Sequence, residues 1–288
     1  MVTKDQRRRQ LAREKFERQQ QRRHEARRKS RIRNSVIAAV VVAALAGTGG
    51  AWAAGAFKSD KKTSDSAAAK ASATPSAAPS ATKAAAKVPD PCAKPAGGTP
   101  GKQQWKTAPA MAIDKTAKYT FTLDTTCGAI PMTLDAAKAP QTVNSFSFLA
   151  GKGFFDHTKC HRLTTNGIYV LQCGDPQGTG GGGPGYTLPD ENLTAFGKAS
   201  SAQAPVTYPA GTVAMANTGQ PHTGGSQFFL VYKDSPLPPQ YTPFGTIGAD
   251  GMKVLQKIAK AGDNESNGQG DGAPNATVVI NKATVVKS

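Results

Sequence analysis

From Trp105 onward the chain is written in short runs of β-forming residues, each cut off by Gly, Pro, Asn or Asp. Eight such runs stand out, at 119–123, 129–134, 160–163, 168–172, 212–216, 227–232, 244–247 and 277–286. The first two alternate in polarity and flank a turn at 124–128, as antiparallel hairpin partners do. Only two segments carry helical periodicity. One starts at Pro140, a residue suited to a first helical turn, and presents Val143, Phe146 and Leu149. The other runs from Met252 to Ala261, with Val254, Leu255 and Ile258 on one face, and ends at Gly262. There is no strand–helix–strand alternation, which excludes a parallel sheet. The pattern predicts a mainly β domain over 105–288: a closed antiparallel barrel with helices at its ends.

The first 104 residues cannot belong to such a barrel. Residues 1–33 hold 14 Lys/Arg against 4 Asp/Glu, a surplus of +10. Residues 34–57 carry no charge and are rich in Ala and Val. About 20 apolar residues cross a hydrocarbon core of roughly 30 Å, and a basic flank stays in the cytoplasm. The expected arrangement is a cytoplasmic tail at 1–33 and a single transmembrane signal-anchor helix at 34–57. The bulk of the chain then lies outside the cytoplasm, at the cell membrane. A cleaved signal peptide, using Ala51-Trp52-Ala53, is the alternative, but its basic region is ordinarily far shorter than 33 residues. Residues 58–104 are Ala, Ser, Thr, Pro and Lys with little apolar bulk. They read as a disordered linker with a reach of about 40 Å.

The net charge of +17 belongs mostly to these segments, since 105–288 carries only +2. Nucleic-acid binding by the domain is therefore not expected, because phosphate contacts need a clustered basic face. Four cysteines, Cys92, Cys127, Cys160 and Cys173, follow the apolar segment. In an oxidising compartment they allow three pairings. Cys160 and Cys173 can bridge if they face each other across a hairpin near Asn166-Gly167, which leaves Cys92 with Cys127. A zinc site from His157, Cys160, His161 and Cys173 lacks the paired spacing of structural zinc modules. No metal or cofactor is expected.

Arg162 is the only arginine after Arg33. Lysine supplies the positive charge everywhere else downstream. Arginine differs in its planar fork of donors, so its isolation marks either a salt bridge or a site that needs the fork. Around it stand His161-Arg162, Tyr169-Val170 and Gln172-Cys173-Gly174-Asp175. Next come Gly178-Thr179-Gly180-Gly181-Gly182-Gly183-Pro184-Gly185-Tyr186 and Asp190-Glu191-Asn192-Leu193. Then follow Gly211 to Asn217, Thr223-Gly224-Gly225-Ser226-Gln227-Phe228-Phe229, and Tyr241-Thr242-Pro243-Phe244-Gly245. In this order and spacing they resemble the cyclophilins, a family of peptidyl-prolyl cis–trans isomerases, over about residues 112–286.

The resemblance implies an eight-stranded antiparallel barrel capped by two α-helices. It implies that Arg162 is the catalytic arginine, with Gln172 beside it. Tyr169, Val170, Phe229 and Leu237 fall where the family lines its proline pocket, and Ala216 and Asn217 where substrate backbone binds. Gln227 falls at the rim, and Tyr241 where many relatives have histidine. The implied partner is a proline-containing polypeptide, and a monomer is expected. Cys160 departs from the family's usual phenylalanine, and the Arg162-to-Gln172 spacing is two residues longer than the commonest form. Leu237 replaces the tryptophan of cyclosporin-sensitive members, so cyclosporin should bind weakly. Gly178-x-Gly180-x-x-Gly183 matches a dinucleotide fingerprint only formally, since no helix follows it; it reads as a mobile loop. The rival to catalysis is a non-catalytic module or chaperone that holds proline peptides. A hydrolase is disfavoured, as there is no Gly-x-Ser-x-Gly element and no evident triad among the four histidines.

Overall fold

In the computed structural model of the protein, the described residues are 89–201 and 204–287. The expected tail at 1–33, the anchor at 34–57 and the linker up to 88 lie outside them. No helix among the described residues is long and apolar enough to cross a membrane.

The order is β1 (Tyr119–Thr125), β2 (Gly128–Leu134), α1 (Pro140–Gly151), β3 (Thr158–Lys159), β4 (Arg162–Thr164), β5 (Val170–Cys173) and β6 (Val206–Tyr208). Then come β7 (Thr212–Met215), β8 (Phe228–Val231), β9 (Ser235–Leu237), β10 (Pro243–Ile247), α2 (Ala249–Lys260), β11 (Asp271–Gly272) and β12 (Val279–Lys287). One ten-stranded sheet runs β11-β4-β5-β8-β7-β10-β2-β1-β12-β3, and β6 pairs with β9 in a separate ribbon. Every pairing is antiparallel.

The sheet has to curl. Laid flat, β3 and β4 would sit about 38 Å apart at roughly 4.8 Å per strand, yet only Cys160 and His161 join them. That connection spans at most about 11 Å, three Cα steps. The backbone N–H of Cys160 donates to Val278 O beside β12, and that of His161 to Gln172 O on β5, so this link touches both ends of the sheet. The expected strand count is corrected: ten strands, not eight, form one curled sheet whose pairing ends at β3 and β11. Those two strands are two residues long, too short for any periodicity to announce them.

Side chains alternate across the sheet, and each face has its own core. The concave face holds the main one, with Phe121 of β1, Phe228 of β8 and Phe244 of β10 gathered around Phe146 of α1 at 5.6, 5.5 and 4.6 Å between ring centroids. α1 starts at Pro140 as expected, but its N-terminal amides are capped from a distance. Glu191 accepts bonds from Gln141 N, Thr142 N and Thr142 Oγ1 at 3.0, 2.9 and 2.8 Å, where the helix dipole favours a negative charge. α2 begins at Ala249, three residues before the expected Met252, because Gly248 serves as its N-cap.

Two disulfides form, Cys92–Cys127 and Cys160–Cys173. The first ties residues 89–104, assigned above to the linker, onto the domain as an arm. Ala96 N donates to Asn281 Oδ1 at 3.0 Å and Trp105 N to Pro184 O at 2.8 Å.

Candidate active site

The convex face of β5, β7 and β8 carries the second, smaller core of Val170, Tyr208, Ala214, Phe229, Val231 and Leu237. At its edge a cavity of about 170 Å³ is lined by Arg162, Ile168, Val170, Gln172, Ala216, Asn217, Phe229, Leu237 and Tyr241. Pockets for drug-sized ligands are roughly 300–1,000 Å³, so this one suits a single small side chain.

Each lining residue is placed by register. In the hairpin of β4 and β5, Arg162 lies opposite Gln172, and Gln172 lies opposite Phe229 of β8. Val170 and Gln172 share one face by the two-residue period, and Ile168, in the bend before β5, lines the cavity beside them, while Leu171 and Cys173 turn into the main core. The ribbon of β6 and β9 brings Leu237 over the cavity, with Leu237 opposite Val206. Tyr208 backs the site from beneath. Its hydroxyl donates to Tyr241 O at 2.8 Å, its ring lies 6.4 Å from that of Phe229, and burial pushes its pKa up to about 12.

Nine of the ten expected site residues gather around this face. The exception is Tyr169, which faces away from the cavity. Its ring packs on Tyr232 at 5.9 Å and under Lys233 Nζ at 4.4 Å. Ile168, in the bend before β5, lines the cavity in its stead. Phe228, adjacent to Phe229, likewise points to the opposite face.

Arg162 divides its donors. Nε and Nη2 donate to the two carboxylate oxygens of Asp271 at 2.8 and 2.7 Å, and Nη1 donates to Gln172 Oε1 at 3.4 Å beside the cavity. The hydrogen bonds that Arg162 donates to Asp271 raise the already high pKa of the guanidinium, and the same bonds hold the Asp271 carboxyl below the usual carboxylate range. Asp271 sits on β11, paired with Thr164 of β4, and accepts a further bond from Asn267 Nδ2 at 3.2 Å. The sequence offered no local signal for this partner, 109 positions from the arginine. Its one hint was an acid in the glycine-rich stretch Gly268-Gln269-Gly270-Asp271-Gly272.

The polar line continues outward. Gln172 Nε2 donates to Gln227 Oε1 at 2.9 Å. Gln227 Nε2 donates to Gly180 O and Gly182 O at 3.0 and 2.9 Å. Asn217 Nδ2 donates to Gln240 O at 2.7 Å, which fixes the strand end opposite Tyr241. The glycine-rich loop, expected to be mobile, is tied from within. Asp175 is fully buried and accepts bonds from Gln177 N, Thr179 N and Gly180 N at 2.7, 2.8 and 2.6 Å. Burial pushes its pKa up, but these amides and that of Gly182 outweigh it, and the net shift is downward. Gly182 approaches that carboxylate so closely that a Cβ would collide with it.

The site thus offers an apolar cavity, one permanently charged donor at its lip and, apart from the Tyr241 hydroxyl, no nucleophile or general base among the lining side chains. Comparison with known proteins shows what the chain is similar to. The family model "Cyclophilin type peptidyl-prolyl cis-trans isomerase/CLD" matches residues 120–285, more than half of the chain. A "Probable peptidyl-prolyl cis-trans isomerase B" of Mycobacterium leprae is 52% identical over 167 residues, covering 57% of this chain and 56% of that protein. The match therefore spans little more than half of that relative's length. A Helicobacter pylori "Peptidyl-prolyl cis-trans isomerase" is 40% identical over 144 residues, covering 49% of this chain and 80% of that one. A solved Cryptosporidium parvum cyclophilin type peptidyl-prolyl cis-trans isomerase, 25% identical, covers 59% of this chain and 99% of its own, with a TM-score of 0.48. The curled sheet with its two helices, the cavity on its convex face and the extent of the family match together place this chain in the cyclophilin family of peptidyl-prolyl cis-trans isomerases.

Proposed function

We propose that this protein accelerates rotation about X–Pro bonds in polypeptides, with the proline ring in the cavity and Arg162 at its lip. The carrying observation is the division of the guanidinium: two donors anchored on Asp271, and Nη1 directed to the cavity beside Gln172. Peptide-bond rotation faces a barrier of about 18–20 kcal/mol from C–N double-bond character, and uncatalysed X–Pro exchange takes tens of seconds or longer. In the twisted state that conjugation is lost and the prolyl nitrogen gains a lone pair. A cationic donor preorganised at that nitrogen favours the twisted state over both planar ones. Val170, Phe229 and Leu237 grip the ring while the preceding carbonyl swings. Asn217, at the cavity wall, is placed to hold substrate backbone.

Cis-to-trans exchange in a short X–Pro peptide, followed by NMR with the full chain, tests this reading. The parent should accelerate exchange, and Arg162→Ala and Arg162→Lys should lose most of that acceleration while remaining folded. If the parent binds the peptide and leaves its exchange rate unchanged, the domain is a binding module. The substrates we infer are exported proteins at the cell membrane. This rests on the uncharged segment 34–57 behind a tail of surplus charge +10, and protease accessibility of the domain in intact cells reads it directly.

A further inference from the structure

The arm is not only a tether. The family model matches residues 120–285, and residues 89–119 lie outside that match. From Cys92, bridged to Cys127, the arm passes the glycine-rich loop on its way to α1. Trp105 fixes it there. Its backbone N–H donates to Pro184 O at 2.8 Å, and its ring packs on Phe148 and Phe154 at 5.0 and 6.0 Å between centroids. Gly185, at φ +91°, gives the approach room, since a Cβ there would lie 2.7 Å from Trp105 O. Beyond Trp105, Ala112 N donates to Asn144 Oδ1 of α1 at 2.8 Å.

This course borders two clefts that adjoin the proline cavity. A middle section of about 440 Å³ shares Gln172, Ala216 and Asn217 with that cavity, and one of its walls is Gln104 of the arm. An outer section of about 670 Å³ lies between arm residues 99–104 and Pro176, Gln177 and Gly183 of the loop. It shares Gln104 and Gly183 with the middle section. Lys102 is the one charged side chain lining the outer section, and the middle section has none. The only other charge along the path is Arg162, already matched by Asp271.

We propose that the arm builds an extended substrate subsite: a polypeptide seated at the proline cavity continues through the middle section into the outer one, where Lys102 favours an acidic side chain. This rests on the proline-binding reading of the cavity. Neighbouring sections share lining residues, which sets them in series along the path of one extended chain. Backbone of the glycine-rich loop lines it with peptide groups free of side chains, as suits an extended peptide. Its one outer charge sets the preference.

The test is a set of peptides sharing one X–Pro core, lengthened at either end up to about six residues, roughly 20 Å of extended chain. Each is made with a terminal Glu or a terminal Lys. For the parent, KM should fall as one end is lengthened and not the other, with kcat unchanged. The Glu-ended member should bind about two- to fivefold more tightly than the Lys-ended one, the range of an exposed ion pair, and high salt should remove that margin. Lys102→Glu should reverse the preference and leave the core peptide's turnover unaltered. Length-independent KM at both ends, or a Glu preference that survives Lys102→Glu, would overturn the proposal. If the core peptide is not turned over at all, the isomerase reading has failed separately. Amide shifts of Lys102 and Gln104 on titration with the extended peptides then still decide the subsite.

Discussion

Asp271 is where the structure makes its most exposed claim. If the arginine works by being held, removing its anchor should cost rate without touching the pocket. In Asp271→Asn one oxygen still accepts from Arg162 Nε, now at 2.8 Å, but the amide nitrogen meets Nη2 where an oxygen stood at 2.7 Å. One charge-assisted bond is lost and the other keeps its cationic donor but loses its anionic acceptor. Asp271→Ala loses both. Such bonds contribute about 1.5–3 kcal/mol each. The lower figure applies here, since both side chains are about a third exposed, at 34% and 28%. If that energy is what keeps Nη1 on the cavity, kcat should fall about tenfold for Asn and up to about a hundredfold for Ala, at 1.36 kcal/mol per decade. KM should change little, because Val170, Phe229 and Leu237 are untouched. The assay is NMR exchange in an X–Pro peptide, read with the Nε–Hε resonance of Arg162. That signal can be assigned as the one missing in Arg162→Lys, since no other arginine follows Arg33. It should move toward the free-arginine position in both variants. Variants that shift the resonance yet keep kcat within about twofold of the parent would refute the clamp, because the loss of one bond alone is worth about a decade.

The other expectations concern what shapes the site. Asp175→Asn keeps the side chain's size but turns a donor toward Thr179 N and Gly180 N, which should cost about 3 kcal/mol and lower Tm by roughly 6–12 °C. The Asp175 carboxyl titrates below its ordinary value, so its stabilisation is complete above about pH 3.9 and is lost as pH falls through the lower, folded value. Acid unfolding of the Asn variant should lack that component, and an identical acid limb would contradict it. Removing Cys92–Cys127 as an Ala pair opens a loop of sequence separation 35 and should cost about 3–4 kcal/mol. It should also raise KM for long peptides more than for the core peptide, because the arm loses an anchor; equal changes in both would separate the arm from binding.

Much of this was legible in the chain. Proline and glycine punctuation around short β-type runs excluded parallel folds, and Pro140 located α1 to the residue. The lone arginine after residue 33 pointed to the site, because a residue type used once is rarely interchangeable. These are local properties, set by backbone stereochemistry and by the donor geometry of one side chain. What stayed hidden depends on register and on contacts across long separations. Nothing in Ile168-Tyr169-Val170 says which face meets the cavity until β5 is paired with β8, and then Ile168 lines it and Tyr169 does not. The same pairing sends Phe229 to the cavity and Phe228 to the main core. Glu191 caps a helix 49 positions away, and Asp271 anchors an arginine 109 positions away. A carboxylate selects such a partner by charge and distance, and only the curled sheet brings β11 beside β4.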